Sequence, residues 1–359
     1  MTATLNDPVK QEFVDYVKEN IGKLLSDMLG GTYNVTSGET VKTNDFKYTN
    51  LAILAEGEKM APNLRIDDFI DRYREGENID NLMEEIAAIY EKARGANLDL
   101  DVINTFSDFD ASKDRLVTKV INKELSGEYL DNVPHKDFGD LAVICQYRLK
   151  TDDNSIGSIT INNDHLEMWG ATFDEVLNIA KENDLKVSAP KLIPMDKILF
   201  GLSSYKQEDL LPDEKCASME MYVLSTEEMS NGAKLIFHED LMDRIGGFMG
   251  DDYYVIPSST QEVIILPKST DIPIEEISQM VKDVNMDYVS KDEVLSDHAY
   301  MYSREDKCLF FEKDGQKHMM KFEDRAKKGI KDKLNDAKAK ANEQVKSAPK
   351  QRAKEAALA

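Results

Sequence analysis

Apolar residues recur at helical spacing over the first thirty positions: Phe13, Val14, Val17, Ile21, Leu24, Leu25 and Met28 fall on one stripe. Asp7 places an acceptor side chain at the cap, Pro8 brings a fixed φ suited to the first helical position, and Gly30-Gly31 ends the run. The spacing predicts a polar loop next, then a short strand at Leu51–Leu54. A second helix is predicted near residues 78–94, with Leu82, Met83, Ile86, Ile89 and Tyr90 as its stripe and Gly95 as its stop.

The period then shortens. Between Val117 and Thr160 the pattern is of short strands, with Leu141–Tyr147 apolar enough for a central strand and Gly157–Asn162 as its neighbour. Thr172 and Glu175 have capping-box spacing, ahead of a helix whose buried face is Phe173, Val176, Leu177 and Ala180. Trp169, the single tryptophan, is expected to pack at that helix entry. Further along come a strand at Met221–Leu224, a helix over residues 232–245, and two strands, 253–256 and 262–266, joined by a hairpin. Pro273 opens a helix with Ile274, Ile277, Val281 and Val284 on one face, and Ala299–Tyr302 and Cys308–Phe311 close the series as strands. Strands and helices come in runs rather than in strict alternation. The fold class read from this order is α+β, with largely antiparallel sheets flanked by amphipathic helices and a C-terminal basic helix. The expected division is an α+β region over 1–185, a Pro-containing linker or irregular segment over 186–218, a second α+β region over 219–324, and a tail over 325–359.

Charge adds a second layer to this picture. The tail, rich in Ala and Lys, has 11 Lys and Arg against 4 Asp and Glu, a formal +7, so the net −23 of the chain leaves −30 on residues 1–324. An acidic body repels phosphate backbones, which makes nucleic acid an unlikely partner for the body; the basic tail remains open to nucleic acid, to a protein partner or to self-association. Ile330, Leu334, Ala337, Ala341 and Val345 give the tail only a thin seam. No run approaches the roughly 18 apolar residues of a membrane span, and residues 1–19 lack a signal-peptide pattern. The three cysteines, Cys145, Cys216 and Cys308, are odd in number and dispersed, which points to a reducing, cytoplasmic setting.

Chemistry-bearing motifs are sparse. Gly246–Gly250 follows a helix and precedes Asp251-Asp252, the wrong context for a phosphate cradle and the right one for a helix C-cap. Ser258-Ser259 lacks the glycines of a nucleophile elbow. His135, Asp137 and Asp140 lie just before the strand at 141–147, where loop-held acid/base or metal-binding groups often sit; the competing reading is a shaped strand entry. Asp297 and His298 adjoin at another strand entrance, where neighbouring side chains on an extended chain point to opposite faces. No cofactor motif and no metal-ligand spacing is read.

Several ordered segments carry a family resemblance: Asn132–Val143, His165–Gly170, Asn231-Gly-Ala233, Tyr254–Ser259 with Glu262-Val263, and Glu293–Tyr300. The chain resembles the bacterial family called domain of unknown function 5688, across roughly Pro8 to Arg304, and is distantly similar to the YtpQ-type uncharacterised family. The resemblance implies a bacterial cytosolic protein, often in mobile-element settings, and supplies no catalytic residue. The tail falls outside it.

The expectation is therefore a non-enzymatic protein that binds another macromolecule through its acidic body. Two alternatives stand beside it: a metal-assisted hydrolase or nuclease using His135, Asp137 and Asp140, and an acidic mimic of nucleic acid.

Overall fold

The computed structural model describes residues 7–58, 61–95, 105–150, 156–200, 207–212, 221–270 and 272–322. The basic tail read from the sequence over 325–359 lies outside the described residues. Two large hydrophobic clusters organise the described residues, one drawn from Phe13–Tyr90 and the other from Leu116–Met320.

The first unit begins with α1 (Pro8–Leu29), whose Asp7 cap accepts from the backbone N–H of Val9 and Lys10. Phe13, Val17, Ile21 and Leu25 on α1 face a three-stranded sheet, β1 (Tyr33–Val41), β2 (Lys47–Ala55) and β3 (Asn63–Arg65). Helices α2 (Asp67–Arg74) and α3 (Ile79–Gly95) close this core with Phe69, Ile70, Leu82, Ile86 and Tyr90. Strand β1 occupies what the sequence reads as a polar loop. It pairs with β2 along its whole length, and only Tyr33 and Val35 pack against the core, so most of the strand carries no apolar signal.

The second unit has two sheets around one shared core. A four-stranded sheet is built on β6 (Leu141–Lys150), with β4 (Leu116–Asn122) on one side and β5 (His135–Phe138) and β7 (Ile156–Thr160) on the other. A seven-stranded sheet runs β14-β13-β12-β10-β11-β9-β8. Its members are β8 (Pro190–Pro194), β9 (Tyr222–Thr226), β10 (Tyr253–Pro257), β11 (Val263–Pro267), β12 (Tyr300–Ser303), β13 (Cys308–Lys313) and β14 (Gln316–Met320). Every strand pairing among the described residues is antiparallel, as the α+β reading requires. Leu116, Val143 and Tyr147 of the smaller sheet share their core with Leu224, Val255, Tyr300 and Leu309 of the larger. Each such side chain contributes about 1.5–3 kcal/mol by burial.

Helix α4 (Asn163–Trp169) precedes α5 (Phe173–Val187), which lies on β4 and β6. Trp169 does pack: its Nε1 donates to Phe106 O and its ring tilts against Phe106 and Phe109. Part of the segment read as linker is structural. Residues 190–194 form edge strand β8 despite two prolines, which an edge tolerates because one side of the strand has no ladder to fill. The helix predicted over 232–245 is a 3₁₀ turn (Gly232–Phe237) followed by α6 (Glu239–Met249), with Gly250 as a left-handed C-cap. Helix α7 (Ile274–Tyr288) covers the outer face of the larger sheet through Ile274 and Ile277 against Tyr254 and Leu266.

Among the described residues, one turn makes several bonds between the two units, beside the Lys47–Glu128 ion pair. At Thr43–Asp45, Asn44 and Asp45 take positive φ of 61° and 47°. Asp45 accepts from the N–H of Glu128 and Tyr129, capping the short helix Gly127–Leu130 from outside its own unit. Asn44 Nδ2 donates to Lys291 O and Val294 O, both at 2.8 Å.

Candidate functional site

Of the residues singled out in the sequence, Asp140, Asp297 and His298 come together, while His135 and Asp137 stand apart from them. His135 and Asp137 are alternate residues of β5; His135 Nδ1 donates to Val133 O, and Asp137 is bonded by Lys123 at 2.6 Å. His135 Nε2 lies 3.7 Å from Asp137 Oδ1. Asp140 sits in the β5–β6 turn, where Gly139 takes a φ of +68°, and it faces the other sheet. There Ser296 Oγ donates to its Oδ2 at 2.6 Å and Tyr300 OH to its Oδ1 at 3.0 Å. One carboxylate oxygen thus bonds β12 and the other the segment leading into it, and the Ser296 hydroxyl accepts from the N–H of His298. Among the described residues, no group of three His, Cys, Asp or Glu side chains is arranged to hold a metal ion.

Burial pushes the Asp140 carboxyl up, with the Ser296 and Tyr300 hydrogen bonds and the nearby His298 pulling it back only in part. The same burial pushes His298 down, against the opposing pull of Asp140. Tyr300, fully enclosed, is raised well above the ordinary phenol range by burial first and by Asp140 second.

Asp140 forms part of the wall of a groove made of two adjoining hollows of about 510 and 500 Å³. One side is α7, whose Glu275, Gln279 and Lys282 follow i, i+4, i+7 spacing toward the groove. The other is the β13–β14 hairpin with Glu312, Lys313 and Asp314. Asp297 and His298 line the same hollow, contrary to the extended-chain expectation, because the turn at Ser296 interrupts the alternation before β12 begins. Asp297 is held by Asn285 Nδ2 at 2.9 Å.

Two features give this groove a chemical character. Its lining has six carboxylates (Glu124, Asp140, Glu275, Asp297, Glu312, Asp314) against two lysines, one of which, Lys313, is already paired with Glu124 at 2.6 Å. A hydrogen bond to Glu275 raises the Glu312 carboxyl above its ordinary value. The second feature is a three-ring stack: Phe311 lies between His298 (5.0 Å, 28°) and His318 (5.1 Å, 16°). Carboxylates beside flat aromatic faces are the two elements that recognise ammonium and guanidinium groups.

Glu275, Glu312, Phe311 and His318 were not singled out from the sequence. The Asp314-Gly315 dipeptide after an apolar strand is a two-residue hairpin signal; both residues take positive φ. Read that way, it places Phe311 opposite His318 and supplies β14.

A family profile described as a family of unknown function, DUF5688, matches residues 10–304. No curated protein and no solved structure matches the chain.

Proposed function

The chain belongs to the DUF5688 family of unknown function, and we propose that it is a non-enzymatic binding protein whose acidic groove receives a basic segment of a partner protein. The observation that carries this is the groove between α7 and the β13–β14 hairpin, with its carboxylate rim and its His298–Phe311–His318 stack. A lysine or arginine entering it gains charge-assisted hydrogen bonds from Glu275 and Glu312 and a ring face beneath its stem. The strongly negative body, −30 over residues 1–324, steers such a partner toward the surface before contact. The basic tail is an accessory arm, free to compete for the groove or to bridge two copies. A bacterial cytoplasmic setting goes with this reading; Cys145 and Cys308 are free and buried thiols, as a reducing compartment allows.

The test is a calorimetric titration of the full chain with a lysine- and arginine-rich peptide at two salt concentrations. The reading requires binding that weakens as salt rises and that falls at least about tenfold in the E275Q/E312Q double variant. Equal affinity in wild type and double variant removes the groove as the docking site.

A further inference from the structure

The two faces of the four-stranded sheet differ in character. Along β4 and β6, Leu116, Val120, Val143 and Tyr147 face the shared core, while Val117, Lys119, Gln146 and Arg148 take the alternate positions on the other side. The turn at residues 228–231 and the pair Thr260-Gln261 fold over that second face and enclose a hollow of about 120 Å³. That is room for several waters or one small ion.

The polar groups around this hollow are unevenly satisfied. Arg148 is ion-paired with Glu228, and Lys234 lies 2.9 Å from the buried Asp184. Lys191, another buried lysine, donates to the carbonyls of Gln207 and Glu208. The Lys119 side chain, partly buried, makes no hydrogen bond and no ion pair among the described residues, in a chain with 68 acidic residues against 45 basic ones. Burial pushes its ammonium down, opposed only by the more distant Asp292 and Glu293 and reinforced by Lys42. Two further lining atoms, Ser188 Oγ and Asn231 Oδ1, are buried without a partner. Ser188 is 8% exposed. Asn231 is held in place by its other groups: Nδ2 donates to Thr118 O, and the backbone N–H donates to Gln261 Oε1.

A hydroxyl and an amide oxygen, buried without partners, line one small hollow together with the Lys119 side chain, and leaving the two buried atoms unmet is costly. Their chemistry is specific. The ammonium and hydroxyl offer protons, whereas the amide oxygen of Asn231 only accepts one. A carboxylate or a sulfate satisfies the donors and leaves Asn231 Oδ1 bare; hydrogen phosphate brings its own P–OH to that oxygen.

We propose that this hollow is a binding site for inorganic hydrogen phosphate, held by Lys119 and Ser188 and read by Asn231. It lies on a different face from the acidic groove, and neither assignment depends on the other.

The experiment is isothermal titration of the full chain with inorganic phosphate at fixed ionic strength, with sulfate as the control, accompanied by thermal unfolding. Wild type should bind phosphate in preference to sulfate, and its Tm should rise with phosphate. K119M should weaken phosphate binding at least about tenfold and abolish the rise of Tm with phosphate. K119R should retain binding. Phosphate affinity unchanged in K119M, or sulfate bound as tightly as phosphate, would each overturn the assignment.

Discussion

Asp184 is the most demanding polar position in the molecule. It lies at 0% exposure on α5. Its Oδ1 accepts from Thr118 N at 2.9 Å and is 2.9 Å from Lys234 Nζ; its Oδ2 accepts from Thr118 Oγ1 at 2.6 Å and is 3.1 Å from His238 Nε2. Asp184→Ala would strand Lys234, itself 4% exposed, in the core without a counter-ion. Removing one partner of a buried pair costs about 3–5 kcal/mol, a large share of the roughly 5–15 kcal/mol that holds a domain folded. The double variant D184A/K234M removes the stranded charge as well and should recover most of that loss. Burial pushes the Asp184 carboxyl up, but Lys234, His238 and Thr118 outweigh it and hold it below its ordinary value. Its contribution is therefore present in full above the ordinary aspartate range and fades as pH falls through the lowered folded value. Urea unfolding followed by the fluorescence of Trp169, the single tryptophan and part of the same unit, reads the transition. A loss under about 1 kcal/mol in D184A, or a double variant no more stable than the single one, would refute the reasoning.

Other consequences are equally open to measurement. Asn44→Ala removes three side-chain hydrogen bonds between the units and puts alanine, which tolerates the left-handed region less well than asparagine, at a φ of 61°; docking should weaken by about 2–4 kcal/mol, seen as a larger radius of gyration in solution scattering. Gly232→Ala would place a Cβ 2.4 Å from Ser225 Oγ and 2.5 Å from Gln261 O, so a loss of about 1–3 kcal/mol is expected in chemical unfolding. Glu275→Gln takes away the acid that raises Glu312, so the Glu312 carboxyl should titrate lower in the variant when followed by NMR. An unchanged midpoint would mean that Glu275 does not set the Glu312 carboxyl.

Much of the fold was legible because its signals are local. The α1 cap and stripe, the central strand β6, the β10–β11 hairpin and α7 each announce themselves through spacing and turn residues. Strands β1 and β14 did not, since an edge strand with one solvated face needs few apolar residues, and β14 has only Met320 deeply buried. The partition of the core was also hidden: Val143 and Tyr300 meet in one cluster although 157 positions separate them, and no local pattern encodes that meeting. The candidate site was half visible. Asp140, Asp297 and His298 stood out as polar residues at strand entrances, but their partners Ser296 and Tyr300 and the acids across the groove enter only through tertiary packing.

The most direct test of the binding account is affinity capture from host lysate using three full-scale baits: the whole chain, residues 1–324, and the whole chain with E275Q/E312Q/D314N. The account predicts a protein with a basic segment that is retained by the first two baits, released by added salt, and lost from the groove variant. Equal recovery of the same proteins by wild type and groove variant would contradict it.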